Sequence, residues 1–279
     1  DEERRIAAEL DIEPLLTAEE ARATRRLDEI VVALDDRRGS LPLDFLLHQK
    51  QRGVMVSDVM DFLERETERL DLDILRPSWL LYERSSQTGI HYRWLKRLFD
   101  LVFSLCLLLV TSPALVFTVL AIRMEDGGAA PIFYRQRRVG RNGRVFELMK
   151  FRSMRANAEK DTGPRFASAN DDRVTRVGRL IRRFRVDELP QLLNVIRGDM
   201  SVVGPRPERP EFVDVLSRQV PLYFYRHGVR PGLTGWAQLN FPYGASMDDA
   251  REKLTYDLYY IKNTNIITDL LILLQTLEV

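Results

Sequence analysis

The chain contains a run of 22 residues without a charged side chain, LVFSLCLLLVTSPALVFTVLAI, at positions 101–122. At 1.5 Å per residue, a helix of this length is about 33 Å long, which is enough to cross the hydrocarbon core of a bilayer. The buried core helix of a soluble protein is the alternative, but this run is apolar on all sides. The run therefore predicts a membrane segment.

The path of this segment depends on its middle and its flanks. Ser112 and Pro113 interrupt the run, and a proline removes one helical hydrogen bond and kinks the axis. Both flanks are basic, and basic flanks prefer the cytoplasmic side of a membrane. We therefore expect a re-entrant helix–break–helix over residues 98–124, with Ser112 as a partner for backbone groups freed at the break. A straight span is the alternative. Asp100, at the rim, is expected to form an ion pair rather than to act in catalysis.

Charge divides the chain on either side of this segment. Residues 1–92 hold 13 Lys and Arg against 21 Asp and Glu, whereas residues 135–230 hold 22 against 11. A basic region can bind nucleic acid, anionic lipid or a phosphorylated substrate, and charge alone does not choose among them. The single cysteine, Cys106, excludes an internal disulfide. The three histidines lie too far apart in sequence for zinc-ligand spacing.

The first part of the chain alternates between helix and strand patterns. Strands are predicted at residues 28–34 and 53–59, with helices at 17–26, 41–52 and 59–70, as in a parallel α/β layer. Two strands are too few for an independent sheet, so we expect further sequence before Asp1. Because the segment has no Gly-rich phosphate loop, a structural or dimerising module is favoured over a nucleotide-binding one.

A hairpin and a basic helix follow the membrane segment. FYRQRRVG and RVFELMKFRSM are predicted strands joined by a turn at residues 141–143. Lys150 and Arg152 are two residues apart, so they share one face, which either contacts phosphate or is simply solvated. Residues 171–185 predict an amphipathic helix with an apolar stripe at Val174, Val177, Leu180, Ile181 and Phe184. Most of its arginines are expected to face anionic lipid headgroups.

The segment VDELPQLLNVIRGDMSVVGPRP (186–207) places two adjacent carboxylates, Asp187 and Glu188, in arginine-rich surroundings. Pro190 fits the first turn of a helix that ends at Gly198, so the carboxylates lie at or just before a helix N-terminus. Nearby Arg side chains are expected to lower the pKa of Asp187, which would keep it ionised as a nucleophile, while Glu188 can hold Mg²⁺. A helix N-cap without catalytic duty is the alternative.

Two loops add further candidate ligands. Arg206 lies between two prolines, where a stiff loop would present its guanidinium to a phosphate with little loss of entropy. Residues 226–240 form a Gly- and Pro-rich loop that carries Arg230 and Gln238. This loop is either a ligand contact or a structural turn. The last segment, residues 265–279, is apolar enough to rest on a membrane surface.

Several of these blocks together resemble the bacterial polyprenyl-phosphate glycosyl-1-phosphate transferases of the monotopic class. KFRSM, DELPQLLNVIRGDMSVVGPRP and RPGLTGWAQLN carry the resemblance, which runs from about Trp94 to Val279. FPYGASMDDAREKLTYDLYYIKN resembles the branch linked to exopolysaccharide systems with exosortase-type sorting. Large members of this family have an N-terminal Rossmann-like domain preceded by membrane helices, so residues 1–82 look like the end of such a domain.

The resemblance implies a function and a set of partners. It implies transfer of a sugar-1-phosphate from a UDP-sugar to polyprenyl phosphate, with Mg²⁺ as cofactor, at the cytoplasmic face of the bacterial inner membrane. Undecaprenyl phosphate is the expected acceptor, and nucleic acid is not an expected partner. By family position, Asp187 is the nucleophile and Glu188, with Asp187, holds the metal. The matching basic positions are Lys150, Arg152, Arg182 and Arg206.

The expected fold class is α/β. It comprises a partial Rossmann-like unit at residues 1–82, a linker at 83–97, the re-entrant segment at 98–124 and a mainly helical α+β catalytic domain at 125–279. The incomplete N-terminal layer leaves strand edges and apolar faces to be covered, so we expect a homodimer. The rival function is a non-enzymatic membrane scaffold whose basic face binds anionic lipid. That function gives the carboxylate pair no role.

Overall fold

A computed structural model describes residues 27–33, 41–75, 90–125, 127–128, 130–155, 173–241 and 246–277. The chain divides into two compact units, Asp1–Leu75 and Arg76–Val279. The helix predicted at residues 17–26 and the approach to the membrane at 76–82 lie outside the described residues.

The first unit alternates between strands and helices in chain order. It contains β1 (Glu29–Val32), α1 (Leu43–Gln51), β2 (Met55–Asp58) and α2 (Val59–Thr67). The two strands are parallel, and buried residues of α1 pack against them. The predicted alternation of strand and helix is thus confirmed for these elements. The Rossmann-like assignment stays a prediction.

A single helix, α3 (Ile90–Glu125), contains the apolar run. It begins within residues 83–97, which were predicted to be a linker, and the linker assignment stays a prediction. Lys96 and Arg97 bond to the rest of the second unit from this first part of the helix. Arg97 donates to the carbonyls of Val195 and Ile196, both at 2.6 Å.

The helix α3 is long and apolar enough to cross a membrane. Its most apolar 18-residue window has a mean hydropathy of 2.5, and only 11% of that window is buried. The side chains of Leu109 and Val110, for example, are each 76% exposed. An apolar surface of this length is stable when lipid surrounds it.

Helix α3 is continuous through Ser112 and Pro113. Pro113 has no N–H to donate to the carbonyl of Leu109, and the Ser112 hydroxyl donates to that carbonyl instead, at 2.8 Å. This confirms Ser112 as a partner for a backbone group freed by the proline. No break in the helix is seen at these two residues. The re-entrant path through the membrane stays a prediction.

After α3, the second unit continues with an antiparallel hairpin of β3 (Phe133–Val139) and β4 (Val145–Phe151). A 3₁₀ turn at Arg141–Gly143 joins the strands, with φ of 55° at Asn142 and 75° at Gly143. These left-handed conformations favour Asn and Gly, which explains why this dipeptide turns the chain. The predicted hairpin is confirmed.

Short helices and a second strand pair complete the unit. The elements are α4 (Arg176–Arg183), α5 (Gln191–Arg197), β5 (Ser201–Val203), α6 (Pro210–Gln219), β6 (Gly232–Thr234), α7 (Trp236–Asn240), α8 (Met247–Lys262) and α9 (Ile266–Thr276). Strands β5 and β6 are parallel. They approach closely because Gly204 and Gly232 lack side chains, since a Cβ on Gly232 would lie 2.1 Å from the Gly204 nitrogen. The main core includes Leu148, Val195, Met200, Val202, Val203, Tyr260 and Ile272.

The basic helix α4 is shorter than predicted. Thr175 caps it by accepting from the Gly178 N–H at 2.9 Å, so the helix begins at Arg176 rather than near residue 171. Val177 and Ile181 pack against residues of α3. Leu180 is 59% exposed and Phe184 is 64% exposed, so only part of the predicted apolar stripe is covered by the described residues.

Buried charges join α3 to the rest of the second unit. Lys96 Nζ lies 2.7 Å from Asp269 on α9 and 3.6 Å from Asp100. Asp100 also accepts from the Ser201 hydroxyl at 2.9 Å and from the Val202 N–H at 3.0 Å. The prediction that Asp100 forms an ion pair is confirmed, and its partners fix the helix against β5.

Candidate functional site

Two adjacent carboxylates lie immediately before helix α5. Asp187 and Glu188 belong to a 3₁₀ turn, Val186–Glu188, and Pro190 follows as the N-cap of α5. The helix ends at Gly198, whose φ of 93° is the left-handed conformation typical of a C-terminal glycine. The predicted helix boundaries are thus confirmed, and the Asp187 side chain is directed into buried surroundings.

Glu188 is held by two cations from separate parts of the unit. Lys150 of β4 lies 2.8 Å from its Oε1, and Arg206, from the loop after β5, lies 2.9 Å from the same atom. Burial would raise the pKa of Glu188, but Arg206 and Lys150 outweigh burial and hold this pKa well below its usual range. Glu188 is therefore ionised over the physiological range, and it gathers two of the predicted phosphate ligands.

Asp187 behaves differently from its neighbour. Burial and the adjacent charge of Glu188 raise the pKa of Asp187, while Lys150, Arg182 and Arg185 oppose the shift. The prediction that arginines lower this pKa is wrong for the protein without ligands. The reason is that the Asp187 side chain is buried, and burial raises its pKa by more than the nearby cations lower it.

Arg206 is positioned by a buried ion pair that the sequence analysis missed. Arg226 donates to the main-chain carbonyl of Arg206 at 3.0 Å and lies 2.8 Å from Asp257 of α8. Arg226 also donates to the Tyr223 hydroxyl at 2.9 Å. A signal was available, since Asp257 occupies the apolar face of α8 beside Leu254 and Leu258. A carboxylate on such a face requires a buried partner.

Helix α5 is held at its far end and its middle. Arg97 of α3 donates to the last carbonyls of the helix, which suits a cation at a helix C-terminus. Asn194 is fully buried, accepts from the Met149 N–H at 3.0 Å and donates to the Glu147 carbonyl at 2.7 Å. The membrane helix and the hairpin together fix the turn that carries the carboxylates.

The other predicted ligands are spread around this centre. Arg182 donates to the Ser153 hydroxyl at 3.0 Å and lies near enough to Asp187 to influence its pKa. Arg152 lies beside Glu125, and burial lowers its pKa. Gln238 donates to the Leu233 carbonyl at 3.2 Å.

The main-chain carbonyl of Arg230 lies close to Gly204. Burial and the charges of Arg230 and Arg93 lower the pKa of Arg141. Within the described ranges, no hydrogen bond or ion pair joins Arg230 or Gln238 to the two carboxylates. Both were predicted to bind substrate, and those roles stay predictions.

Two carboxylates meet the requirements of a magnesium site only in part. No group of three or more His, Cys, Asp or Glu is gathered for a metal among the described residues. Mg²⁺ is usually bound by one or two carboxylates, with water and substrate phosphates as the remaining ligands. Asp187 and Glu188 therefore fit a metal that arrives with a pyrophosphate.

The arrangement suits attack on a phosphorus atom. A buried carboxylate, Asp187, adjoins an ion-paired carboxylate and several cations. Such cations can neutralise the oxygens of a transferring phosphoryl group, which is the main requirement of that chemistry.

Known proteins are similar to the part of the chain that contains this site. The pattern of the family described as bacterial sugar transferase matches residues 91–279. A UDP-N-acetylgalactosamine-undecaprenyl-phosphate N-acetylgalactosaminephosphotransferase of Aeromonas hydrophila is 41% identical over 255 residues, which cover 91% of this chain and 59% of that protein. This match extends well into residues 1–90, beyond the part that the family pattern covers.

Two further relatives match a shorter part of the chain. An undecaprenyl-phosphate glucose phosphotransferase of Komagataeibacter xylinus is 43% identical, over 66% of this chain and 35% of that protein. A UDP-glucose:undecaprenyl-phosphate glucose-1-phosphate transferase of Caulobacter vibrioides is 42% identical, over 65% of this chain and 67% of that protein. The chain thus spans about a third to two thirds of the length of these three proteins.

Proposed function

Because the chain belongs to the bacterial sugar transferase family, we propose that it transfers a sugar-1-phosphate from a UDP-sugar to a polyprenyl phosphate, with release of UMP. The observation that carries this proposal is the placement of Lys150 and Arg206 on Glu188, directly beside Asp187. The relatives named above act with undecaprenyl phosphate, so undecaprenyl phosphate is the acceptor that we propose.

In the first step, a carboxylate oxygen of Asp187 attacks the sugar-bearing phosphorus of the UDP-sugar. A P–O bond forms to Asp187 while the bond to the bridging oxygen of UMP breaks, and UMP leaves with the electron pair of that bond. Lys150 and Arg206 lie where they can neutralise the phosphate oxygens. Arg182 lies near enough to Asp187 to favour its ionised form over the neutral acid.

In the second step, a phosphate oxygen of the acceptor lipid attacks the same phosphorus. The bond to Asp187 breaks, the carboxylate is restored and a polyprenyl diphosphate sugar forms. The apolar helix α3 supports this second step. It would hold the site at the level of the lipid headgroups, where the acceptor phosphate lies. We place the catalytic unit on the cytoplasmic face of the bacterial inner membrane.

When bound, Mg²⁺ would supply charge neutralisation to the pyrophosphate of the UDP-sugar. Asp187 and Glu188 are the residues that would hold it. Glu188 would do so while Lys150 and Arg206 contact its carboxylate.

The names of these relatives do not identify the sugar of the donor. The Aeromonas protein is named for N-acetylgalactosamine and the Komagataeibacter protein for glucose, yet their identities to this chain are 41% and 43%. A panel of UDP-sugars, screened for UMP release, would identify the donor. Release of UDP instead would indicate an enzyme that transfers the sugar alone.

A covalent adduct tests the proposed mechanism. The protein is mixed with UDP-sugar and Mg²⁺ without lipid acceptor, and intact-protein mass spectrometry measures the mass gained. Wild type is expected to gain one sugar-phosphate, and Asp187→Asn to gain none and lose turnover, because an amide cannot replace the carboxylate nucleophile. Glu188→Gln is expected to retain a trace of activity at high Mg²⁺, since water can replace one metal ligand in part.

Asp214→Asn is the matched control. Asp214 is an exposed residue of α6, so the same chemical change there should leave the adduct and turnover intact. If Asp187→Asn turns over near the wild-type rate, or if the adduct forms on another residue, the proposed mechanism is wrong. A protein that binds anionic vesicles but releases no nucleotide with any UDP-sugar would instead support the scaffold function.

A further inference from the structure

A groove lies beside the C-terminal end of the membrane helix. It has a volume of about 560 Å³ and is lined by Arg123, Pro131, Ile132, Phe133, Tyr134 and Arg135. Sites for small ligands commonly have volumes in this range and combine apolar walls with a few polar groups. Here the apolar residues 131–133 and two arginines line the same groove. This combination suits a ligand with an apolar body and an anionic end.

One side of the groove continues onto the apolar surface of α3. Ile132 packs in a cluster with Val119 and Ile122 of that helix. Val116 and Leu120 precede Arg123 by seven and three residues, so the three share one helix face. Val116 is 58% exposed and Leu120 is 53% exposed. An apolar path therefore leads along the membrane helix to Arg123.

The other side of the groove leads to the carboxylates. Tyr134 of β3 lies directly opposite Lys150 of β4 in the antiparallel pair. Residues opposite each other in such a pair project from the same face of the sheet, with Cβ atoms about 5 Å apart. Lys150 contacts Glu188 at 2.8 Å, and Glu188 is adjacent to Asp187. Tyr134 therefore borders the groove and shares a hairpin face with Lys150, whereas Arg135, opposite Met149, projects from the other face.

The two arginines are available for an anion. Among the described residues, Arg123 forms no ion pair or hydrogen bond. Arg135 contacts Glu147 at 3.5 Å, but both side chains are more than 60% exposed. Solvent-exposed pairs of this kind contribute little to stability and exchange easily.

We propose that this groove binds the acceptor: Arg123 and Arg135 hold its phosphate, and the apolar residues 131–133 and the α3 face hold its first isoprene units. The inference rests on the proposed function, because it names the place where the second substrate of that reaction enters. The groove borders the apolar surface of α3 on one side and Tyr134, the cross-strand partner of Lys150, on the other.

The two half-reactions separate this inference from the proposed function. In the first stage, protein in detergent is incubated with UDP-sugar and Mg²⁺, and the adduct is measured by mass. In the second stage, UMP is removed, polyprenyl phosphate is added, and loss of the adduct is followed against acceptor concentration. The variant is Arg123→Gln/Arg135→Gln. The matched control is Arg137→Gln, which removes one exposed arginine of β3 outside the groove.

The double variant is expected to form the adduct as wild type does, which also shows that it is folded. Its KM for polyprenyl phosphate should rise at least about tenfold, because each lost arginine removes charge-assisted hydrogen bonds to the phosphate. Arg123→Lys/Arg135→Lys should restore part of the loss. The Arg137→Gln control should keep the wild-type KM.

Three results would overturn the inference. The KM of the double variant could equal that of wild type, in which case the groove does not bind the acceptor. The control could be impaired as strongly, which would assign the effect to general attraction for anionic lipid. The double variant could fail to form the adduct, which would place these arginines with the nucleotide sugar. Absence of any adduct in wild type would instead count against the proposed function.

Discussion

Replacement of Arg226 by Met should strongly destabilise the catalytic unit. Asp257 is 2% exposed and Arg226 is 7% exposed, and the guanidinium lies 2.8 Å from the carboxylate. Loss of one partner leaves the other charge buried and unpaired, which typically costs about 3–5 kcal/mol. In a unit of roughly 200 residues, each kcal/mol lowers the Tm by about 2–4 °C, so the expected loss is about 6–20 °C.

The assay is thermal unfolding in detergent, with a double-variant comparison. Arg226→Met/Asp257→Asn removes the stranded charge, so it should recover at least half of the Tm lost by Arg226→Met alone. Asp214→Asn supplies the control for an exposed carboxylate. A double variant as unstable as Arg226→Met would refute the reasoning, because the cost would then not come from the unpaired charge of Asp257.

The Tm deficit of Arg226→Met should also depend on pH. Burial raises the pKa of Asp257 even in the presence of Arg226, which opposes the shift. Without Arg226, the folded-state pKa lies higher still, so the folded protein binds a proton more readily than the unfolded chain. Stability relative to wild type is then lost as pH rises through this pKa. The deficit should therefore be smaller at pH 5 than at pH 8, and an equal deficit would contradict this account.

Two further predictions concern the membrane helix and the assembly. Single cysteines replacing Arg93 and Arg123, in a Cys106→Ser background, should react alike with an impermeant thiol reagent in oriented vesicles. The reason is that basic flanks favour one side of the membrane. Opposite accessibility of the two cysteines would establish a true span. Mass measurement in nanodiscs should give a dimer, since the edges of the β1–β2 pair require covering, and a monomer of the complete protein would count against that expectation.

Local signals in the sequence predicted the elements around the site. Asn142 and Gly143 marked the hairpin turn, because both tolerate positive φ. Pro190 and Gly198 marked the ends of α5, because each suits one end of a helix. The position of Asp187 and Glu188 just before that helix followed directly. These features depend on a few neighbouring residues, which the sequence displays.

The remaining features depend on contacts distant in sequence. Lys150 and Glu188 are 38 residues apart, so their contact required the folded unit. The sign of the Asp187 pKa shift depends on how far the side chain is buried, which the arginine-rich sequence did not indicate. The early start of α3 likewise reflects two distant contacts. Arg97 contacts Ile196, about a hundred residues later, and Lys96 contacts Asp269, about 170 residues later.

The contact of Lys96 with Asp269 and Asp100 limits how far the protein can be truncated for production. Both carboxylates are fully buried, and Lys96, near the start of the membrane helix, is the cation that contacts them. A shortened protein that begins after Glu125 would retain Asp269 on α9 without this cation and would lose the cap that Arg97 supplies to α5. Solubility gained by removing the apolar helix would therefore come at the expense of the turn that carries Asp187 and Glu188. A truncation that begins just before Ile90 keeps Lys96 and Arg97, together with the whole apolar helix, and is the shorter protein that should remain folded.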